Sequence, residues 1–576
     1  MANQEIAKIF QEIATYLEMQ DVAFKPQAYE KAALNLETLS EDVEDIYKKG
    51  GIKALKEIPG IGENLAEKII EYIKTGKIKE YENLKHKMPV NLEELTSVEG
   101  IGPKMVRDLY KNLKIKNLDD LEKNAKAGKI RKIENFGEKT EQNILESIKF
   151  LKRSKGRFLL GEILPKVHEI IEKLKQLKEI KQISEAGSVR RRKETIGDVD
   201  ILATSSNPKK IIDYFVSMPG VIKIWGKGPT KASIRLNEGF DADLRILPEK
   251  QFGSGLQYFT GSKEHNIVLR KIAIDKGLKL NEYGLFRGSK MIAGKTEKEI
   301  YSALKMDYIE PELRENTGEI ESALRQANDL PKLINYGDIL GDLHVHSNWN
   351  GGENSIKELA EVAQKMGYQY IGVSDHTKFL RIEHGLDEKQ LLARNKKIDE
   401  INLKFKIENL KFRVLKGCEA NILSDGSIDI DDKTLAEMDF VIAGVHSQMK
   451  MPESKMTKRI IIAMKNKNVD IISHPTGRIL KKRDEYEVDF DEILEVAKQT
   501  NTVLEINSSP DRLDLKDINI KKAKQMGIKM VINTDSHHID HLKLMDFGVS
   551  QARRGWAEKK DIINTWPMDK MLKMLK

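Results

Sequence analysis

Past Gly341, one short apolar run after another ends in a histidine or a carboxylate, and this regularity constrains the fold more than anything else in the chain. GDLHVHS delivers His344 and His346, IGVSDH delivers Asp375 and His376, and VLKGCE delivers Glu419. FVIAGVH then delivers His446, VDIISH delivers His474, KMVINTDSH delivers Asp535 and His537, and TVLEIN ends near Asn507. Apolar runs alternating with helical stretches predict parallel strands joined by helices. Polar residues at the C-terminal ends of such strands are gathered on one face, where a parallel βα barrel forms its sites. Seven strands account for the pattern. Nine of the twelve histidines follow residue 340. A lone histidine at a strand end reads as a hydrogen-bonded core residue, but six converging with acids do not. Imidazole and carboxylate donors in this number suit Zn²⁺, Mn²⁺ or Fe²⁺ and exceed the needs of one ion.

The remaining 340 residues follow other rules. A chain of 576 residues is too long for one core, so three or four domains are expected. Residues 1–150 show helical apolar spacing with Gly-containing turns and no strand pattern. IPGIGENLAEKI (58–69) and VEGIGPKMVRDL (98–109) repeat with a 40-residue offset, and IENFGEKTEQNI (133–144) matches more weakly, with Asn135 in place of Gly60 and Gly100. Each reads as helix, tight turn, helix. The second helix begins at Gly62, Gly102 or Gly137, so free N–H groups point outward where a phosphate fits and no base is read. Residues 101–200 hold 25 Lys and Arg against 16 Asp and Glu, whereas residues 1–100 hold 13 against 19. The segments resemble the helix-hairpin-helix DNA-binding motif. β-Branched residues at Gly62 and Gly102 are expected to resist the turn.

A β-rich stretch follows, with IKQISEAGSV, VDILAT, VIKIWG, KASIRL and DADLRIL giving an α+β pattern. In AGSVRRRKETIGDVDIL (186–202), Asp198 and Asp200 are two apart and share one face of a strand. Carboxylates that close repel unless cations lie between them, so a pair of Mg²⁺ ions suits the site. Gly187 and Ser188 offer close backbone approach and a hydroxyl, Arg190 and Arg191 offer charge for a triphosphate, and a third carboxylate is expected from Asp241 or Asp243. D-x-D alone would read as a solvated surface strand; G-S and the arginines at this spacing argue otherwise.

This run resembles the nucleotidyltransferase palm of X-family DNA polymerases, a likeness covering roughly residues 1–320. The resemblance implies that Asp198, Asp200 and Asp243 hold two Mg²⁺ or Mn²⁺ ions. It places Arg157, Gly187, Ser188, Arg191 and Gly197 around the triphosphate of an incoming dNTP. It also implies that Tyr258, Phe259 and Gly261 in GLQYFTGSKEHN pack on the sugar, with Asn266 at the base edge and Arg270 on the template. Without the family, that aromatic pair and Gly-Ser would read as strand and turn. Family members often carry an abasic-sugar lyase in the first domain. Lys68 stands at the nucleophile's position, with Lys25 and Tyr29 at accessory ones. The acidic surroundings, and Asn64 in place of a second lysine, argue for a helix-surface lysine instead.

The C-terminal constellation is similar to the PHP (polymerase and histidinol phosphatase) domain, implying a distorted (β/α)7 barrel with two to three Mn²⁺, Zn²⁺ or Fe²⁺ ions. Mapped by motif, the ligands are His344, His346, His376, Glu419, His446, His474, Asp535 and His537. The first motif departs from the family pattern: HVHSNWNGG has Gly351 where an aspartate is expected, with Glu353 two residues on. Arg478 and Arg512 are read either as phosphate contacts or as surface residues.

Together the resemblances imply a multidomain DNA polymerase: a helical lyase-like domain over 1–90, further hairpins over 91–150, and a palm over 151–247. A nucleotide-selection subdomain over 248–318 and a linker over 319–340 then lead to the PHP domain over 341–576. Its partners would be gapped or nicked DNA and dNTPs and its activities gap filling and 3′–5′ exonuclease, with abasic endonuclease or 3′-phosphatase cleavage left open as further PHP activities by the resemblance. The rival readings are a nuclease whose polymerase half only binds DNA, and a non-catalytic DNA-end scaffold. No apolar run is long enough for a membrane helix, and the single cysteine, Cys418, fits a reducing cytoplasm. A monomer is expected.

Overall fold

One hydrogen-bonded turn recurs three times in the helical part of the computed structural model, which describes all residues except 1, 40–41, 59, 97, 99–100, 135, 154–155, 325–328, 381–383 and 576. Ile61 N donates to Ile58 O at 3.0 Å, Ile101 N to Val98 O at 3.0 Å, and Phe136 N to Ile133 O at 3.0 Å. These six side chains are all buried and belong to one apolar cluster. The next helix follows in each copy: α1 (Glu63–Thr75), α2 (Pro103–Leu113) and α3 (Glu138–Arg153). The first helical bond is also repeated, from Ala66, Val106 and Glu141 back to Gly62, Gly102 and Gly137 at 2.9, 3.1 and 3.1 Å. The third copy therefore forms the turn despite its divergent sequence. Gly100 and Asn135 lie outside the described residues.

The expectation for Gly62 and Gly102 needs correction. Both cap their helices in extended backbone, with φ of −82° and −90°, and a Cβ at either would meet nothing within 4 Å. The left-handed position is Gly60, with φ of 76° and a Cβ site 3.0 Å from the Asn35 side chain. Gly60→Val is therefore expected to destabilise the helical unit by about 1–2 kcal/mol, and Gly62→Val by less than about 0.5 kcal/mol. Urea unfolding followed by helical circular dichroism checks the contrast; equal losses would overturn it.

The chain divides into two compact units, Met1–Lys155 with Lys481–Arg483, and Gly156–Leu480 with Asp484–Lys576. The larger begins with a five-stranded mixed sheet. Its strands are β1 (Ile180–Glu185), β2 (Asp198–Ser205), β3 (Val221–Lys227), β4 (Lys231–Leu236) and β5 (Asp241–Ile246), in the order β1-β2-β5-β4-β3. Alternation fixes its faces. Val199, Ile201 and Ala203 of β2 and Ala242, Leu244 and Ile246 of β5 join the core beneath helices Leu160–Lys175 and Pro208–Val216. Asp198, Asp200, Asp241 and Asp243 are thereby left on the opposite face.

GLQYFT is not a strand. It lies in helix Phe252–Thr260, and a turn at Gly261 leads to helix Lys263–Asp275, whose cap is the Ser262 hydroxyl accepting from His265 N. Three short antiparallel strands follow, β6 (Lys279–Asn281), β7 (Gly284–Arg287) and β8 (Lys290–Ala293). The stretch read as a connector is anchored: Ile320 and Ala323 are buried, and Leu333 bridges to Glu558.

After residue 340 the paired strands among the described residues are parallel. β9 (Gly341–Val345), β10 (Tyr370–Val373) and β11 (Arg413–Lys416) form one sheet. The second contains β12 (Glu419–Asn421), β13 (Ile442–Gly444), β14 (Ile471–Ile472), β15 (Val503–Asn507) and β16 (Met530–Asn533). The run VLKGCE is thus two strands, broken at Gly417 and Cys418. Parallel bridges continue the pairing at His376–Glu419 and Val345–Ser536.

Candidate active sites

Parallel pairing of β2 with β5 sets Asp198 opposite Asp241 and Asp200 opposite Asp243. The two pairs differ. Asp241 accepts two bonds from Arg235, at 2.8 and 2.9 Å, and one from Trp225 Nε1 at 2.8 Å, so it is fully committed within the sheet. Asp243 forms a 3.2 Å ion pair with Lys231. Burial, and then the charges of Asp198 and Asp243, push the Asp200 carboxyl up to about 7. A carboxyl that holds a proton beside two other acids is one whose proton a divalent cation can displace, so the donor set fits metal ions.

Gly187 lies against this carboxylate. Its φ is 57°, and a Cβ there would stand 2.3 Å from Asp200 Oδ2. Ser188 follows it in the short helix Gly187–Arg190 and is half-buried. Arg157 is exposed and donates to Thr195 Oγ1 at 2.9 Å and Thr195 O at 2.5 Å, with Nη1 3.3 Å from the Cβ position of Gly197. Arg191 donates to Glu315 at 2.9 Å and to Thr260 O at 2.6 Å. Arg190 is bound by Glu297 through two bonds, at 2.9 and 2.7 Å.

The rings of Tyr258 and Phe259 meet edge to face, 5.1 Å apart, and Arg245 lies 4.6 Å over Phe259. Asn266 is buried. It donates to Tyr258 O at 2.7 Å and accepts from Gln257 at 2.9 Å, so its amide holds the turn at Gly261. Arg270 donates to Asn266 O at 3.2 Å.

In the helical unit, Lys68 is not a solvated surface lysine: its side chain is 16% exposed and its ammonium lies 2.6 Å from Glu80. Glu80 also accepts from Tyr29 at 2.9 Å. Burial raises the Glu80 carboxyl, but these two bonds outweigh it and hold the group below its usual range. A cleft of about 460 Å³ opens here, lined by Lys25, Tyr29, Gly60, Gly62, Asn64 and Glu80 among others.

The C-terminal cluster is built around Glu419. Its Oε2 lies 2.8 Å from His376 Nδ1, 3.3 Å from His344 Nε2 and 3.8 Å from His346 Nε2. Its Oε1 lies 3.1 Å from both His446 Nε2 and His474 Nε2. Asp535 Oδ1 lies 3.5 Å from His344, 3.3 Å from His346 and 3.9 Å from His537. Three donor triplets are each tight enough for one ion: His346, His376 and His537; His344, His346 and Asp535; His376, Glu419 and His446. His344 Nε2, both nitrogens of His346, His376 Nδ1 and Glu419 Oε2 are buried without an aligned hydrogen bond. Buried polar atoms are rarely left so, and three of these nitrogens, His344 Nε2, His346 Nε2 and His376 Nδ1, lie within 3.8 Å of Glu419 Oε2, a donor set that fits metal ions.

The electrostatics agree. Burial lowers the His344 imidazole, yet Glu419, Glu505 and Asp535 together hold it well above its usual range. Burial, then His537 and His376, keep His346 well below it. His474 and Asp535 take φ of 28° and 55°, left-handed backbone that histidine and aspartate adopt more readily than most side chains.

Several functional candidates were not singled out in the sequence. Glu505 accepts from His344 Nδ1 at 2.7 Å and from His474 N at 2.7 Å, which orients one imidazole and one ligand loop. Its signal was a charged residue inside TVLEIN, two before Asn507. Asn421 sets His446 in the same way, at 2.8 Å. Asp375 instead accepts from Ser347 and from buried Arg394, at 2.6 and 3.0 Å. Gly351 has φ of 69°, while Glu353 is exposed and donates its backbone N–H to His537 O at 2.9 Å. Arg478 is not a surface residue: it is buried and bonds Glu194 and Leu513 O. Arg512 lies 3.8 Å from Asp535, with Nη1 buried and unpartnered. No helix among the described residues is long and apolar enough to cross a membrane.

Known families match four parts of the chain. A helix-hairpin-helix domain matches residues 1–78 and a SAM-like helix-hairpin-helix tandem residues 92–149. The DNA polymerase beta thumb matches residues 255–315 and the PHP domain residues 342–509. The "DNA polymerase/3'-5' exonuclease PolX" of Bacillus subtilis (strain 168) is 38% identical over 569 residues, covering 98% of this chain and 97% of that protein. "Probable phosphatase Teth514_1060" of Thermoanaerobacter sp. (strain X514) is 33% identical over 207 residues, 34% of this chain and 78% of that protein.

Proposed function

This chain belongs to the X family of DNA polymerases that carry a PHP domain, and we propose that it fills short gaps in DNA and trims 3′ ends by hydrolysis. The observation that carries the polymerase half is the trio Asp198, Asp200 and Asp243 on one sheet face, with Gly187 shaped to fit Asp200. The three would hold two Mg²⁺ or Mn²⁺ ions, which when bound stabilise the attacking and departing oxygens of phosphoryl transfer. Ser188, Arg191 and Arg157 hold the triphosphate, with Gly187 and Gly197 allowing close approach. Tyr258, Phe259 and Gly261 shape the sugar pocket, supported by the bonds of Asn266 across the turn, and Arg270 contacts the template. The three hairpin turns grip sugar-phosphate of gapped or nicked DNA through the N-termini after Gly62, Gly102 and Gly137, with left-handed Gly60 in the first turn.

The hydrolytic half rests on the Glu419 cluster. His344, His346, His376, Glu419, His446, His474, Asp535 and His537 would hold two to three Mn²⁺, Zn²⁺ or Fe²⁺ ions, which when bound activate water and neutralise phosphate charge. Glu505 and Asn421 orient ligands, and Arg512 offers a donor to the phosphate. The parallel pairing, continued by the bridges at His376–Glu419 and Val345–Ser536, supports a distorted seven-stranded barrel with a broken third strand.

On this reading the domains run 1–90, 91–150, 151–247, 248–318 and 341–576, with 319–340 as a packed linker, in a monomer of the cytoplasm. The ion pair with Glu80 favours a structural role for Lys68; a lyase would have to break it.

Incubating a one-nucleotide gap with dNTPs and Mn²⁺ tests the reading. Extension and, without dNTPs, shortening are expected; shortening alone would leave only a nuclease, and neither would leave only a binding protein.

Gly351 bears on metal number. Gly351→Asp should lower the Mn²⁺ concentration for half-maximal 3′–5′ hydrolysis without changing incorporation, since aspartate tolerates left-handed backbone better than most residues. If Glu353 fills the role instead, Glu353→Ala removes the hydrolysis and Gly351→Asp changes nothing; Mn²⁺ titration of both variants decides.

A further inference from the structure

Nine residues, Val189–Gly197, separate Ser188 from Asp198, and several of the five from Arg190 to Glu194 are anchored far from them in sequence. Arg190 is tied to Glu297, Arg191 to Glu315, and Arg192 to Glu185 at 2.9 Å. Glu194 accepts from Arg478 at 2.6 Å and from Gln551 at 2.7 Å, both in the C-terminal third of the chain. Arg554 adds a further tie. It ends helix Met545–Arg554, and its side chain is 2% exposed. Its Nη1 donates to the backbone carbonyl of Arg191 at 2.9 Å and reaches Glu315 Oε1 at 3.3 Å, while Nη2 is held by Asp517.

A single buried guanidinium therefore fixes both the main chain of Arg191 and the carboxylate that aims its side chain. Buried Arg–carboxylate bonds are directional, and removing one partner leaves the other charge uncompensated. Burial lowers the Arg554 guanidinium, but Asp517 and Glu315 outweigh it, in keeping with a permanently charged clamp.

We infer that Arg554 is a positioning residue for the incoming nucleotide: the PHP segment completes the triphosphate pocket of the palm by clamping Arg191 and Glu315. This rests on the reading of Arg191 as a triphosphate contact. A contact already made to the triphosphate of the bound dNTP contributes to ground-state binding, so its misplacement appears first in KM.

The test is steady-state incorporation into a one-nucleotide gap by the full-length protein. Arg554→Gln should raise the KM for dNTP about 10- to 100-fold, the range for a lost charged hydrogen bond. The kcat should stay within about threefold, and 3′–5′ hydrolysis and metal content should not change. Asp517→Asn, which loosens the anchor and keeps the arginine, should raise KM in the same direction by a smaller factor and serves if Arg554→Gln does not fold. Unchanged KM in Asp517→Asn and in folded Arg554→Gln overturns the inference, as does a fall in kcat accompanied by loss of hydrolysis, which would mark a general packing role. If the parent protein incorporates no nucleotide, the polymerase reading itself has failed, and that outcome is distinct from the others.

Discussion

Asp198→Ala combined with Asp200→Ala is expected to reduce nucleotide incorporation at least on the order of 10³-fold, or about 4 kcal/mol of transition-state stabilisation. The two side chains share one face of β2, and Asp200 is the more enclosed, pressed against Gly187 with its carboxyl pushed up to about 7. Burial and two neighbouring acids make that position unfavourable for a lone anion, so its arrangement is justified only by cations that reward three carboxylates at once. Removing two of the three should leave Lys231 to neutralise Asp243 and no divalent site. Gapped-primer extension measures the loss. Hydrolysis of 3′ ends should persist, because none of the C-terminal ligands belongs to this sheet. A folded double mutant that still extends the primer would show that the ions are held elsewhere.

Much of this was legible because both sites follow strand periodicity. Two aspartates two apart on β2 must share a face, and polar residues at the ends of parallel strands must converge, whatever the details of packing. The hairpins were legible from a 40-residue repeat, and the third turn was reached through Ile133 and Phe136 rather than through glycine. What escaped was long-range. Nothing near Arg478 in sequence indicates that Glu194, 284 residues earlier, would bury it. Nothing near Asp375 marks Arg394, 19 residues on, as its buried partner. Lys68 was read as exposed because its neighbours are acidic, yet that acidity includes Glu80, the residue that draws it inward. Gly62 was assigned the strain that φ places at Gly60, because a Gly-x-Gly pattern does not say which glycine turns the chain and which leaves room at the helix start.

Glu419→Gln should have the larger consequence in the C-terminal site. One carboxylate stands within 3.8 Å of a nitrogen from each of five histidines, His344, His346, His376, His446 and His474. Its two oxygens face different imidazoles, so both would be presented to ions held by those histidines. Burial raises its carboxyl, but His344, His446 and His376 hold it well below the usual range, so it presents a full negative charge to whatever enters. An amide keeps the shape and loses that charge. Bound metal should fall by at least one ion per chain, and 3′–5′ hydrolysis by at least on the order of 10³-fold. Glu505→Gln provides a graded comparison. Glu505 holds His344 Nδ1 from behind, at 2.7 Å, so its loss should cost about 10- to 100-fold in metal affinity or hydrolysis while most of the metal remains at saturation. Elemental analysis of both variants, together with 3′-end hydrolysis, separates the two roles. Equal and small losses would mean that the ions rest on the histidines alone and that Glu419 is only their counter-charge, whereas the expected order, Glu419 far above Glu505, follows from which carboxylate faces the ions and which faces a ligand's far nitrogen.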